Sequence, residues 1–552
     1  MRQASSWVRA RLAEMSIEQK IAQMLIPNFR PQSNPDDMAA VLVPGLDPGG
    51  VFFFGGTSDE FRRAAEWLQD RCVLPALVCS DLESGAGRMI SDCVTFPDLM
   101  ALAAAGSLEL ARAMGKATAL EAREQGVHWT FGPVSDLNAN PYNPIVNTRS
   151  LGDDPAKVSA FARELVASMQ EHGLAACAKH FPGDGWDDRD QHLCTTINPL
   201  SLDKWDAQSG KVFADLVRAG VKSVMVGHIA LPSVDPGNPN DPFGPPPATF
   251  SRKIVTALLR ERLGFEGVVV TDALEMGGLV TRTHSRAELI VACVNAGCDA
   301  LLFSETRHDF ESLRTAVIDG IVPEERIDEA VSRILALKEG LGLTSHDAAR
   351  PGRLLGAAVR AGFGASADAV ARGAATLVAD RLLSAARRLS PPGRVLVIHL
   401  RSNAQYNVDG FDALLAEAGF EVERRTEADF DRDWAHLDYS SYAAILFLWT
   451  MGPTWGTSDI RPGGSFMRIP WFVRQAQPAC PMLHLNFGNP YLAHELPWAD
   501  YVLNAYSPDI HSQRAVLDVI LGKEEARGVS PVEIGRPGRL LSLIARGLTS
   551  KQ

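Results

Sequence analysis

Short apolar runs that read as buried strands alternate with longer, helix-spaced segments, and this alternation constrains the fold more than any other feature of the chain. The runs occupy residues 23–26, 50–54, 76–80, 128–131, 174–178, 223–227, 267–271 and 299–303. Helical patterns lie between most of them, at 61–71, 108–125, 156–171, 205–219 and 251–263. Ser16 supplies a helix-start signal ahead of the first run. Strands alternating with helices argue for a parallel sheet. Eight such runs predict an α/β fold built on a (β/α)8 barrel, although periodicity sets neither closure nor circular order.

The barrel pattern ends near Leu343, after the helical stretch 327–341. Residues 344–370 are rich in Gly and Ala and read as a connecting arm with some helix. A second αβ block follows over 371–552, with strand-like runs at 395–400, 444–449, 482–487 and 501–505 and helical patterns at 411–418 and 511–521. The expected organisation is a barrel over 1–343, the arm over 344–370, and a C-terminal αβ domain over 371–552.

Composition narrows the partners. The 552 residues carry 54 basic and 66 acidic side chains, a net charge of −12. With no Lys/Arg-rich run, nucleic acid is not an expected partner. No apolar stretch is long enough to span a bilayer. The N-terminus lacks the apolar core of a signal peptide, so a cytoplasmic location is expected. The eight cysteines are scattered, several within apolar runs, and read as reduced core residues. They offer no metal-ligand spacing. The remaining expectation is a small-molecule substrate, with the oligomeric state open.

In a barrel the residues just after each strand form the active face. Here those positions are repeatedly polar: Asp81-Leu82-Glu83-Ser84-Gly85-Ala86-Gly87-Arg88 after 76–80, Gly132 to Asp136 after 128–131, Lys179 and His180 after 174–178, His228 after 223–227, and Asp272 after 267–271. The densest stretch is Lys179 to Pro199, KHFPGDGWDDRDQHLCTTINP. It sets Asp184, Asp187, Asp188 and Asp190 within seven residues, with His192 two further on. Trp186 in this loop suits either stacking on a sugar or anchoring the loop. Asp272, at the end of GVVVTDALEMGG, reads equally as a reactive carboxylate or as a helix N-cap.

The Lys179–Pro199 stretch resembles the catalytic loop of glycoside hydrolase family 3, in its β-N-acetylglucosaminidase (β-hexosaminidase) branch. That branch usually carries KHFPGHG and then Asp-Ser-His. Asp184 replaces the His and Gln191 the Ser, while the Asp190-x-His192 core is intact. The segment ending in Asp272 resembles the family's nucleophile motif, with PATFS and LGFEG upstream in family order. The resemblance implies a retaining exo-glycosidase that removes terminal β-linked N-acetylglucosamine, with a catalytic barrel followed by an αβ sandwich domain. Asp272 would be the nucleophile, His192 the acid/base and Asp190 its orienting partner. Asp81, Arg88, Arg149, Lys179, His180 and His228 would bind the sugar. Asp136 would be mostly structural, and Glu83 suits a structural pairing with Arg88 as well as a place in the sugar site. The chemistry requires no cofactor and no metal.

Three alternatives use much the same residues. In the first, phosphate replaces water as acceptor, because an imidazole repels an anion less than a carboxylate does. In the second, the enzyme is a β-glucosidase or β-xylosidase whose acid comes from the second block, with Asp431, Asp459 and Glu495 as candidates. The third is a non-catalytic sugar-binding protein, against which the presence of Asp190, His192 and Asp272 weighs.

Overall fold

The computed structural model describes residues 4–380, 389–402, 406–429, 434, 438–457 and 460–534. Asp431 and Asp459 lie outside them. The chain divides into two compact units: Met1–Thr95, Ala111–Asn140 and Pro155–Gly364 form one, and Phe96–Leu110, Pro141–Asp154 and Ala365–Gln552 the other. The second unit therefore takes in two segments that sequence order places in the N-terminal half. Among the described residues no helix is long and apolar enough to cross a membrane.

The first unit holds eleven strands: β1 (Leu25–Ile26), β2 (Asn28–Phe29), β3 (Gly50–Phe53), β4 (Leu77–Ser80), β5 (Trp129–Thr130), β6 (Cys177–Phe181), β7 (Thr196–Ile197), β8 (Ser223–Val226), β9 (Ile229–Ala230), β10 (Val268–Thr271) and β11 (Leu301–Leu302). Seven of the eight expected runs contain one, and the run 174–178 overlaps the start of β6. Three further pairs of residues, β2, β7 and β9, are too short to leave a pattern.

Every pairing in this unit is parallel. β1 pairs with β11, β2 to β5 run in order, β8 lies between β6 and β10, and β7 pairs with β9. Parallel bridges Trp129–Ala175 and Val270–Ala300 continue the pairing from β5 towards β6 and from β10 towards β11. Phe52 of β3 stacks on Phe131, 5.8 Å between ring centres, and meets Phe303 edge-on at 5.0 Å. Rings that follow β5 and β11 thus converge on β3.

Local sequence explains where helices start. Ser16 accepts from Gln19 N while Gln19 Oε1 accepts from Ser16 N, and Thr57 and Glu60 repeat the arrangement. The buried charge Asp299 is held by Arg260, by Arg326 at 2.6 Å and by Arg333 at 2.9 Å, and accepts from Val269 N at 2.9 Å. Burial pushes its carboxyl up, but the three guanidiniums outweigh that and hold it below the usual range.

Among its described residues, the second unit is built on one six-stranded sheet. Its strands are β12 (Thr376–Asp380), β13 (Gly393–Arg401), β14 (Phe420–Thr426), β15 (Ala444–Thr450), β16 (Met482–Asn486) and β17 (Tyr501–Asn504), in the spatial order β12-β17-β16-β15-β13-β14. All pairings are parallel except β12 with β17. Alternate residues of each strand feed separate cores. Val395, Val397 and Leu446 join Phe411, Leu415 and Val516. Leu396, Ile398 and Phe447 join Ile469 and Val473. A sheet covered on both faces needs continuously apolar strands, and AILFLWT in β15 is one.

Candidate active site

The residues that gather in the first unit come from the C-terminal ends of β4, β6, β8 and β10. Asp272 directly follows β10. Its backbone N–H bonds Val226 O at 2.9 Å, and its Oδ1 accepts from Ala273 N at 2.8 Å. The next helix does not begin until Gly277, with Met276 at its cap. Asp272 is therefore not an N-cap. Burial by itself raises its pKa, but His180, His228, His192 and Lys179 face it and hold the carboxyl below the usual range. The closest is His180, whose Nε2 lies 3.9 Å from Asp272 Oδ2.

β6 runs further than its apolar stretch suggests, so Lys179 and His180 are strand residues and are buried. Lys179 Nζ sits between Asp81, at 2.9 Å, and Glu83, at 2.7 Å. Glu83 thus pairs with Lys179, which gives it a structural partner besides the expected Arg88. Lys179 is almost fully enclosed while Asp81 keeps a third of its side chain exposed. The lysine orients the carboxylate and leaves it lone pairs for hydroxyl groups.

His180 is fixed by Asp136, the residue expected to be mostly structural. Asp136, fully buried, accepts from His180 Nδ1 at 2.7 Å, from His180 N at 3.0 Å and from Asp184 N at 2.8 Å. A proton on Nδ1 points the opposite nitrogen, Nε2, towards Asp272. No spacing signal foretells this contact, because Asp136 lies in the segment after β5 while His180 is on β6.

The loop after β6 is tied down along its length. Trp186 Nε1 donates to Ser209 Oγ at 3.0 Å, and Trp186 O accepts from Asn140 Nδ2 at 3.1 Å. Of the two uses open to Trp186, these bonds support anchoring. Asp187 binds the Arg189 guanidinium and accepts from Ile197 N at 2.8 Å, closing the loop on itself. Asp190, buried, accepts from His192 Nδ1 at 2.7 Å and from His192 N at 2.9 Å. His192 keeps 29% of its side chain exposed. Its ring is thus partly open to solvent at the loop's surface.

The other expected contacts fare differently. His228 is fully buried, with Nδ1 on Thr249 Oγ1 at 3.1 Å and Nε2 on Ala273 O at 2.9 Å. Both ring nitrogens are taken by protein groups, which leaves none to bind a sugar. Arg88 is exposed at the end of the turn Ala86–Arg88. Arg149 belongs to the second unit, where its Nη1 donates to Ile145 O at 2.9 Å. Glu495, an alternative acid, pairs with Arg461 at 2.8 Å. Among the described residues no group of three or more His, Cys, Asp and Glu side chains is set to hold a metal ion.

A strand-end carboxylate kept ionised, with a carboxylate-held imidazole in the same field, suits cleavage of a glycosidic bond. Comparison with known proteins places the chain in that class: it is a glycoside hydrolase. The glycosyl hydrolase family 3 N-terminal domain matches residues 16–337. A Cellulomonas fimi protein named β-N-acetylglucosaminidase/β-glucosidase is 33% identical over 554 residues, covering 96% of this chain and 95% of that one. The chain belongs to glycosyl hydrolase family 3. Among solved structures, a β-glucoside phosphorylase superposes with a TM-score of 0.86 at 27% identity, covering 96% of both chains. A family 3 β-N-acetylglucosaminidase from Paenibacillus sp. str. FPU-7 shares the fold, with a TM-score of 0.81 at 24% identity over 94% of this chain and 99% of that one.

Proposed function

We propose that this glycoside hydrolase is a retaining exo-enzyme that releases terminal β-linked N-acetylglucosamine. The parallel pairings from β1 through β11, with the bridges between their sheets, support a (β/α)8 barrel. The doubly covered six-stranded sheet supports an αβ sandwich as the second domain. The observation that carries the mechanism is the Asp190–His192 dyad in the field of a carboxylate, Asp272, held in its charged form.

In the first step Asp272 attacks the anomeric carbon while His192 gives its proton to the leaving oxygen. In the second, His192 takes a proton from water as that water displaces Asp272, and the configuration is retained. Asp190 keeps Nδ1 protonated and so directs the exchange to Nε2. Asp81 grips hydroxyl groups, and Lys179 and His180 complete the sugar site.

A second reading puts phosphate in place of water. It is favoured by the imidazole acid/base, which carries no negative charge to repel an anion, and by the likeness to a β-glucoside phosphorylase.

The test is release of 4-nitrophenol from its β-N-acetylglucosaminide and β-glucoside, with and without phosphate. The expected result is faster release from the acetamido sugar, with the β-anomer formed first by NMR. In Asp272→Asn release should fall by about a thousandfold or more, the scale of losing a nucleophile. Phosphate-dependent release with a sugar 1-phosphate as product would establish the second reading. Preference for the glucoside would overturn the sugar assignment.

A further inference from the structure

The loop that carries His192 is bonded, main chain to main chain, to the segment just beyond Asp272. Gly277 N donates to His192 O at 2.8 Å and Gly278 N donates to Gln191 O at 3.0 Å. Thr195 Oγ1 closes the contact on Gly278 O at 2.7 Å. The two strips of backbone lie so near that only glycine fits. A methyl group on Gly277 would stand 2.5 Å from Leu193 O and 2.7 Å from His192 O. One on Gly278 would stand 2.6 Å from Gln191 O and 2.9 Å from His228 Cβ. These are main-chain or fully buried atoms, so the loop itself would have to move.

A second connection reaches the same frame from the opposite side. The Gln191 side chain is 1% exposed, and its Oε1 accepts from His228 N at 3.0 Å. His228 Nε2 bonds in turn to Ala273 O at 2.9 Å, next in sequence to Asp272. The acid/base loop and the nucleophile segment therefore share one hydrogen-bonded frame. It closes through Gln191 and His228 on one side and through Gly277 and Gly278 on the other. Gln191, Gly277 and Gly278 carry no ionisable group, so their contribution is to placement.

We infer that Gln191 and the Gly277–Gly278 pair are positioning residues that latch His192 at a fixed place relative to Asp272. The inference rests on the reading of His192 as the acid/base. A latch of this kind governs proton transfer selectively. Attack by Asp272 on a sugar whose leaving group needs no proton is left largely intact, because Asp272 is held by its own bonds to Val226 O and Ala273 N. Protonation of a poor leaving group and activation of water both suffer, since each needs His192 within hydrogen-bond reach of the reacting oxygen.

The experiment compares wild type, Gln191→Met, Gly278→Ala and His192→Ala on phenyl and 2,4-dinitrophenyl β-N-acetylglucosaminides. Gln191→Met keeps the side-chain volume and removes the acceptor, whereas Gly278→Ala displaces the loop from the other side. For both, kcat/KM on the phenyl glycoside should fall about 10- to 100-fold, part of the range that general acid catalysis supplies. On the dinitrophenyl glycoside the fall should be under about threefold, since its leaving group departs unprotonated. Azide, which needs no base, should restore kcat on the activated substrate and give a glycosyl azide of retained configuration. Equal losses on both substrates, without azide rescue, would overturn the latch while His192→Ala still shows the selective pattern. A flat pattern in His192→Ala itself would overturn the acid/base reading and the latch with it.

Discussion

Four carboxylates between Asp184 and Asp190 share one chemistry and meet four environments. Asp187 is ion-paired with Arg189, Asp188 is exposed, Asp190 holds His192, and Asp184 is buried beside Asp136. Burial first, and the Asp136 charge second, push the Asp184 carboxyl from 3.8 up to about 7. The folded protein therefore keeps a proton that the unfolded chain releases between about pH 4 and 7. Stability should fall as pH rises across that window and level off above it. Asp184→Asn should flatten the slope, as read by urea denaturation at pH 5 and pH 8. An unchanged slope would place the titration elsewhere.

At the scale of elements, the site depends on strand ends and on what braces them. The turn that carries Asp81, Glu83 and Arg88 is held by Glu121 of the helix Leu108–Glu124, whose carboxylate accepts from Val94 N at 3.1 Å. Glu121 and Glu124 are both buried and share Arg360, which lies 2.6 Å from Glu124. Burial pushes Glu121 up to about 7 even with that guanidinium present. Arg360→Ala should therefore cost about 1–3 kcal/mol, because it leaves buried carboxylates without their cation. Losing the cation raises the folded pKa of Glu121 further above its unfolded value, so the cost should be larger at pH 8 than at pH 6. Thermal denaturation at the two pH values measures it, and an equal cost at both would show that Arg360 acts by packing alone.

Across the whole molecule the eight cysteines are free, five of them buried and three partly so. Burial pushes the Cys72 and Cys177 thiols up to about 12 and those of Cys79 and Cys293 well above the usual thiol range. Thiolate is the reactive form, so these groups should resist alkylation in the native protein. Mass spectrometry after iodoacetamide at pH 8 should find label at Cys194 and Cys480 first. Cys72, Cys79, Cys177, Cys293 and Cys298 should react only under unfolding conditions. Label at Cys79 or Cys177 in native protein would reveal local opening at β4 or β6.

The sequence alone determined the strand–helix alternation, the order of its motifs and the dyad Asp190–His192. Each is a local pattern: strands buried on both faces must be apolar throughout, and an Asp two residues before a His bonds it within one turn of loop. β14 escaped detection because FEVERRT mixes charge into an edge strand whose outer side meets solvent. The extent of β6, and with it the burial of Lys179 and His180, escaped because ionic partners rather than apolar character make those positions tolerable inside. Only the tertiary structure decided that Glu83 serves Lys179, that Asp136 directs His180 towards Asp272, that His228 faces inward, and that Gly277 and Gly278 meet the acid/base loop. Those contacts join residues tens of positions apart, and no periodicity encodes them. They exist because parallel strands bring their C-terminal ends to one edge, where each polar group must find a partner once water is excluded.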